Sequence, residues 1–163
     1  MKTICIITFA FGVPNTIRSN RRIAQIASKK ARELDAPVFT QLDIRIEPGI
    51  RVIHTDEMTG HPPPTLRIAR DAVQWAKEQG FKELLIIAAQ PHLWRALRDV
   101  REAIREIGGG ISIYACQEIK QYHEDSWYCL NSTQLRTRSR KGWQSREYVL
   151  KLLPFFIYKR VAS

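Results

Sequence analysis

A histidine and an arginine stand three residues apart in the segment QPHLWR (90–95), which directly follows the apolar run LLIIAA. The run predicts a buried strand, and Pro91 suits the first turn of a helix because proline has no amide hydrogen to leave unpaired. At helical spacing His92 and Arg95 share a face beside the free N–H groups of the helix N-terminus. Together they could hold a phosphate or carboxylate while the imidazole moves a proton, with Gln90 as a further ligand-binding candidate. The alternative is a histidine and an arginine that merely solvate the beginning of a helix.

Histidines and carboxylates also gather in the polar segment IHTDEMTGH (53–61). Their spacing matches no established metal-ligand motif, and we predict no metal site. Glu57 could instead orient His92 in a hydrolytic arrangement, which makes these two residues the catalytic candidates. The chain has no G-x-S-x-G turn, so covalent catalysis is poorly supported.

The segment FGVPNTIRSN (11–20) links the first apolar run to the first predicted helix. It holds a single glycine, Gly12, and matches neither G-x-G-x-x-G nor a P-loop, which argues against a classical dinucleotide site. Asn15, Arg18 and Asn20 could contact an anion at the N-terminus of the helix. A capped loop with exposed polar groups explains the same residues equally well.

A basic segment, LRTRSRKGW (135–143), alternates arginine with small polar residues ahead of Trp143. Such a pattern could grip a nucleic-acid backbone and stack a base on the tryptophan. Two other interpretations stay open: a solvated basic loop, and a lid that brings arginines to a phosphorylated ligand. The basic residues concerned are Arg136, Arg138, Arg140 and Lys141.

Short apolar runs alternate with amphipathic segments along the whole chain. The strands and helices that they predict must position the candidate site residues. This alternation predicts an α/β fold: one three-layer Rossmann-like domain over residues 1–163, with a mostly parallel sheet of four to five strands and helices on both faces. Ser19 and Thr65 are the expected N-caps of the first two helices. The predicted strands are 3–11, 38–42, 51–54, 83–89 and 111–116, and the predicted helices are 19–36, 65–80, 91–107 and 143–153.

The overall composition favours anionic partners. The 163 residues include 26 Lys plus Arg against 16 Asp plus Glu, a net charge of +10. No stretch approaches the roughly 20 apolar residues of a membrane span, and the N-terminal apolar run fits a first core strand better than a signal peptide. Cys5 and Cys116 lie in apolar runs, as core residues would, and no disulfide framework or zinc module is indicated. We expect a soluble, cytoplasmic protein.

The stretch AAQPHLWRA resembles the T-x-x-x-H-x-x-R-A signature of the SanA/YdcF/ElyC-like family, a bacterial group of Rossmann-like domains of poorly defined function. FGVPN resembles that family's first glycine loop, and SNRRIAQIA its arginine-bearing first helix. The stretch from TDEMTGH onward resembles the acidic loop and the threonine motif, although Arg67 and Ile68 replace the family's Glu-Asn. WQSREYVLKLLPFFIY is similar to the closing helix. The resemblance is loose but covers most of the chain.

The resemblance implies a nucleotide-like or phosphate-bearing ligand, held between the first glycine loop and the His/Arg turn. One such protein is associated with S-adenosylmethionine, which makes this molecule a candidate cofactor here, and others are associated with cell-envelope lipid carriers. The residues that match the family motifs are Gly12, Arg22, Glu57, Thr65, His92 and Arg95.

The leading hypothesis is therefore a protein that binds an anionic small molecule at the carboxyl edge of the sheet, with transferase or hydrolase activity through His92 as a further possibility. One alternative is a nucleic-acid-binding module that uses the basic segment. Another is a non-catalytic assembly protein, suggested by exposed-looking aromatic residues such as Trp94, Trp127 and the run FFIY (155–158).

Overall fold

The computed structural model describes residues 3–58 and 60–161. Its strands are β1 (Ile4–Phe9), β2 (Val38–Thr40), β3 (Val52–His54), β4 (Glu83–Ala88) and β5 (Ser112–Ala115). Its α-helices are α1 (Arg18–Leu34), α2 (Thr65–Glu78), α3 (Gln90–Ile107), α4 (Arg140–Leu152) and α5 (Phe155–Val161). Short 3-10 helices at Gln117–Gln121, Glu124–Trp127 and Leu135–Thr137 lie between β5 and α4.

The strands form one parallel sheet in the order β3-β2-β1-β4-β5, which confirms the predicted α/β class. Alternate residues of β1 point to opposite faces, as the period of a strand requires. Cys5, Ile7 and Phe9 pack with apolar residues of α2 and α3. Ile6 packs with α1 and with residues from the C-terminal part of the chain. Each face of the sheet is therefore covered by its own hydrophobic cluster.

The side of the sheet to which successive strands are added changes after β3, so that β2 and β4 lie on opposite sides of β1. β1 continues through α1 to β2 on one side, whereas β4 lies on the other side of β1. The two strands are paired from Ile4 with Glu83 to Phe9 with Ala88, so they end at the same level. In open parallel sheets, ligands gather at the carboxyl ends of strands where the connections diverge in this way. This is the place where His92 follows β4.

Both predicted N-caps are wrong. The N-cap of α1 is Ile17 and that of α2 is Pro64, so Ser19 and Thr65 lie within their helices. The Ser19 hydroxyl donates to the backbone oxygen of Phe11 at 2.8 Å, which ties the helix to the loop after β1. The Thr65 hydroxyl faces the imidazole of His92. Both hydroxyls are engaged in tertiary contacts at the carboxyl edge of the sheet, which a local capping rule does not consider.

The predicted burial of Cys5 and Cys116 is confirmed, whereas the predicted exposure of one tryptophan is not. Both cysteines are buried, and burial raises the pKa of the Cys5 thiol to about 12. Trp127 was expected to be exposed, but it is fully buried beside Tyr122, so that prediction is wrong. Trp94 remains 48% exposed. In the part of the chain that the structure describes, no helix has the length and apolar character needed to span a membrane.

Candidate functional site

A cavity of about 50 Å³ lies at the carboxyl ends of β1 and β4. Such a volume accommodates on the order of three or four water molecules. It is far below the roughly 300–1,000 Å³ of pockets that enclose a whole drug-sized ligand. The cavity therefore suits one small chemical group. Its polar and aromatic lining includes Gln41, Thr65, His92, Arg95, Gln134, Arg136, Thr137 and Trp143.

His92 forms one wall of the cavity and is only 5% exposed. Its Nε2 lies 3.2 Å from the hydroxyl oxygen of Thr65, and its ring packs edge-on against Trp143 with 5.5 Å between the ring centres. Burial lowers the pKa of His92 well below its usual value, and nearby arginines lower it further; the backbone of Ala10 acts weakly in the opposite direction. The imidazole is therefore neutral at neutral pH.

Arg95 lies beside His92, one helical turn further along α3, and is also 5% exposed. One guanidinium nitrogen, Nη1, is 2.9 Å from Oε1 of Glu147, and the guanidinium carbon lies 4.9 Å from the centre of the Trp143 ring. The Nε atom is buried and has no hydrogen-bond partner among the described residues. One polar edge of this buried cation is thus left unsatisfied next to the cavity.

Helix α4 positions both the aromatic and the acidic neighbour of Arg95. Trp143 and Glu147 are four residues apart and share a helix face. The Trp143 indole donates from Nε1 to the backbone oxygen of Pro91 at 3.0 Å, which fastens α4 to the first turn of α3. The Ser139 hydroxyl caps α4 by accepting a hydrogen bond from the backbone N–H of Gly142 at 3.2 Å.

Two further arginines from the C-terminal part of the chain belong to this cluster. Arg136 lines the cavity with one part of its side chain and is otherwise exposed to solvent. Arg146 is half-buried, and its Nη1 has no hydrogen-bond partner among the described residues. Loss of hydration, and then the charge of Arg95, lowers the pKa of Arg136 and lowers that of Arg146 to about 10. The cations repel one another, and Glu147 relieves this only in part.

Four of the predicted site residues come together at the cavity: Gly12, Thr65, His92 and Arg95. Gly12 has a φ of +95°, and a Cβ at this position would lie 2.5 Å from Oγ of Ser132 and 2.7 Å from Oγ1 of Thr137. A glycine is needed because the loop after β1 turns in a left-handed conformation against the segment that carries Arg136.

The other predicted residues lie elsewhere. Glu57 is not part of the cavity lining; its carboxylate accepts from the backbone N–H of Leu42, and burial raises its pKa. Asn15 faces a separate depression beside Arg21 and Arg45. Arg22 stacks on Tyr122, 4.1 Å from the ring centre, and donates to the Ser126 hydroxyl at 2.8 Å. Gln90 is exposed at the first position of α3.

Several residues of the predicted basic segment form hydrogen bonds or ion pairs within the protein. Arg138 donates to the backbone oxygen of Ser132 at 2.6 Å. Arg140 pairs with Glu124 at 2.7 Å and with Asp125 at 3.0 Å. Trp143 is buried against Phe11, with 4.6 Å between the ring centres. This segment therefore forms a wall of the cavity.

Arg136 belongs to the basic segment that could form a lid over a phosphorylated ligand, and the structure places it in the cavity lining. Arg146 and Glu147 were missed by the residue-by-residue reasoning. The spacing Trp143-x-x-Arg146-Glu147 was a usable signal, because it places the three side chains near one helix face. Nothing in the local sequence says that this face meets α3. Within residues 3–58 and 60–161, no three His, Cys, Asp or Glu side chains come together as metal ligands would.

The geometry describes a small, cationic cavity with one neutral imidazole. Arginines are the side chains best suited to phosphate and carboxylate oxygens because they present several N–H donors in a planar fork. A neutral imidazole can accept a hydrogen bond or a proton from a group held next to it. The comparison with protein-family models finds no matching family, and the comparison with curated proteins finds no matching relative.

Proposed function

We propose that this protein binds a small phosphate-bearing molecule, with the phosphate in the cavity between the ends of β1 and β4. The observation that carries the proposal is Arg95, a buried cation that lines the cavity and has an unpaired Nε atom. An oxyanion in the cavity would complete the hydrogen bonding of the Arg95 guanidinium.

Size and charge both favour a phosphate over S-adenosylmethionine. The sulfonium and ammonium groups of S-adenosylmethionine outweigh its single carboxylate, so the molecule carries a net positive charge. Arg95, Arg136 and Arg146 would repel such a ligand. The cavity of about 50 Å³ also excludes an entire nucleoside, which would have to lie outside it.

A nucleic-acid interface built on the basic segment receives less support. Trp143, the residue proposed to stack on a base, is buried beneath the segment and hydrogen-bonded to Pro91. Arg138 and Arg140 already have partners within the protein. Stacking of a base on Trp143 would require α4 to leave α3.

We assign His92 the role of a hydrogen-bonding group toward the bound molecule, through its buried Nδ1 atom, which has no hydrogen-bond partner among the described residues. Its imidazole lines the cavity and is neutral at neutral pH. A neutral imidazole has one N–H group that donates and one ring nitrogen that accepts. Thr65, 3.2 Å from Nε2, is the residue that orients the ring; Glu57 has no part in this role.

The test is calorimetric titration with inorganic phosphate. Replacing Arg95 alone would leave Glu147 as an unpaired buried charge, so the informative variant is the double substitution Arg95→Met, Glu147→Gln. We expect wild type to bind phosphate and this variant to lose binding by about tenfold or more. Arg101→Met is the matched control, because Arg101 is exposed on the same helix. Equal phosphate affinity in wild type and the double variant would refute the proposal.

A further inference from the structure

The charges around the cavity do not balance. Arg95 and Arg136 line it, and Arg146 lies in the same cluster. Glu147 is the acidic partner of Arg95, and neither Arg136 nor Arg146 forms an ion pair with any described residue. His92 is neutral. The three guanidinium groups and one carboxylate therefore leave an excess of two positive charges.

This excess is unfavourable in the empty protein. Like charges that are partly removed from water repel one another strongly, because the surrounding protein screens them less than water does. The Nη1 atom of Arg146 and the Nε atom of Arg95 are both buried without hydrogen-bond partners among the described residues. A ligand with two negative charges would neutralise the cluster and supply an acceptor for the Nε atom of Arg95, which lines the cavity.

We propose that the ligand group is a phosphate monoester in its dianionic form, and that Arg136 and Arg146 give the site its preference for the second negative charge. This inference rests on the proposed function and narrows the substrate class. A carboxylate or a phosphate diester carries a single negative charge and would leave part of the excess uncompensated.

Arg136 and Arg146 reach the cluster from one connected piece of structure. Arg136 lies in the 3-10 helix Leu135–Thr137, and Arg146 lies in α4, which begins at Arg140. The Thr137 hydroxyl donates to that of Ser132 at 2.7 Å, and the backbone N–H of Thr133 donates to the oxygen of Val13 at 2.8 Å. The segment that supplies these two cations is thus fixed to the loop after β1, so the cluster is formed before any ligand arrives.

The experiment compares methyl phosphate with dimethyl phosphate by calorimetry at constant pH and ionic strength. The two compounds differ by one methyl group and one negative charge. We expect methyl phosphate to bind wild type about tenfold or more tightly than dimethyl phosphate. In Arg136→Gln and in Arg146→Gln the ratio of the two affinities should fall toward one. Lys141→Gln is the matched control, because it removes one positive charge from an exposed position in the same part of the chain.

The outcomes separate the two proposals. If neither compound binds wild type, the proposed function fails. If both bind with equal affinity, the function stands and the charge preference is refuted. If methyl phosphate is preferred but the ratio is unchanged in Arg136→Gln and Arg146→Gln, the preference does not come from these two arginines. Thermal unfolding of each variant shows that it is folded before it is titrated.

Discussion

At the scale of single residues, the site contains buried polar side chains that have lost their hydration. Some of their atoms have no hydrogen-bond partner among the described residues. His92 and Arg95 could be identified from sequence because their spacing and the strand before them are local features. Glu147 could not be identified as the partner of Arg95, because its position beside α3 depends on how α4 packs. The sequence therefore predicted the two residues of α3 that line the cavity and missed Glu147, which pairs with one of them.

The burial of His92 should make stability depend on pH. Its pKa in the folded protein is well below the value of about 6.5 in an unfolded chain, so below pH 6.5 the unfolded chain binds a proton that the folded protein excludes. The free energy of unfolding should therefore fall as the pH drops from about 6.5, by up to about 1.4 kcal/mol per pH unit. In His92→Gln this slope should be absent.

Chemical denaturation of both proteins between pH 5 and pH 7.5 measures this difference. The window is above the range where Glu102 and Glu106, whose pKa values are lowered by ion pairs, begin to titrate. Burial raises the pKa values of three carboxyl groups, which act in the opposite sense in both proteins and cancel in the comparison: Asp43, Glu57 and Asp99. His54→Gln, at an exposed position in β3, is the control. Parallel curves for wild type and His92→Gln would show that the imidazole is not held neutral.

At the scale of elements, the sequence was informative where its periodicity is regular. The apolar runs predicted β1, β2, β4 and β5, and the amphipathic segments predicted α1, α2 and α3 within a few residues. The strand β3 lies in a less regular segment, where the pattern is weaker. Residues 116–139 have no such period, and in the structure they form short 3-10 helices held by side-chain hydrogen bonds. Their placement follows from tertiary contacts with α1, with α3 and with the loop after β1, which the local pattern does not encode.

The contact between Gly12 and the segment 132–137 should be sensitive to a single methyl group. In Gly12→Ala the new Cβ would meet the hydroxyls of Ser132 and Thr137 and a methyl group of Ile17, all within 3 Å. Gly49 has a similar positive φ of +85° but nothing within 4 Å, so Gly49→Ala imposes the backbone strain without the clash. We expect Gly12→Ala to lower the free energy of unfolding by about 1–3 kcal/mol more than Gly49→Ala does.

Denaturant unfolding of the two alanine variants provides the measurement, and phosphate titration provides a second readout. Because segment 132–137 carries Arg136, Gly12→Ala should also weaken phosphate binding, whereas Gly49→Ala should leave it unchanged. Equal losses of stability in the two variants would mean that the segment moves away from Gly12 without a penalty.

At the scale of the whole molecule, the candidate site joins parts of the chain that are distant in sequence. Four pieces of the chain meet at the carboxyl ends of β1 and β4, the two strands from which the connections diverge. They are the loop after β1, the beginnings of α2 and α3, and the segment 134–146. The alternation of elements predicted a parallel sheet and hence a site at its carboxyl edge. The basic segment offered a lid over this edge as one interpretation, and the local pattern could not decide between that interpretation and the others. The net charge of +10 indicated an anionic partner without indicating where the cations gather.

A ligand bound at such a junction should stabilise the elements that meet there more than the rest of the molecule. Hydrogen exchange followed by mass spectrometry can resolve this, because amides in different elements exchange through openings of different free energy. With phosphate at 100 times its dissociation constant, openings that abolish the site should become less favourable by about 2.7 kcal/mol. Slower exchange is therefore expected in the first turn of α3 and in residues 132–147. The edge strand β3 is not part of the cavity lining. Its amides should exchange at the same rate with and without phosphate if they open independently of the site.

The double variant Arg95→Met, Glu147→Gln should show no phosphate-dependent change in either region. Slower exchange in α3 without any change in residues 132–147 would mean that the C-terminal part of the chain packs over the site without binding the ligand, and the roles assigned to Arg136 and Arg146 would then be wrong.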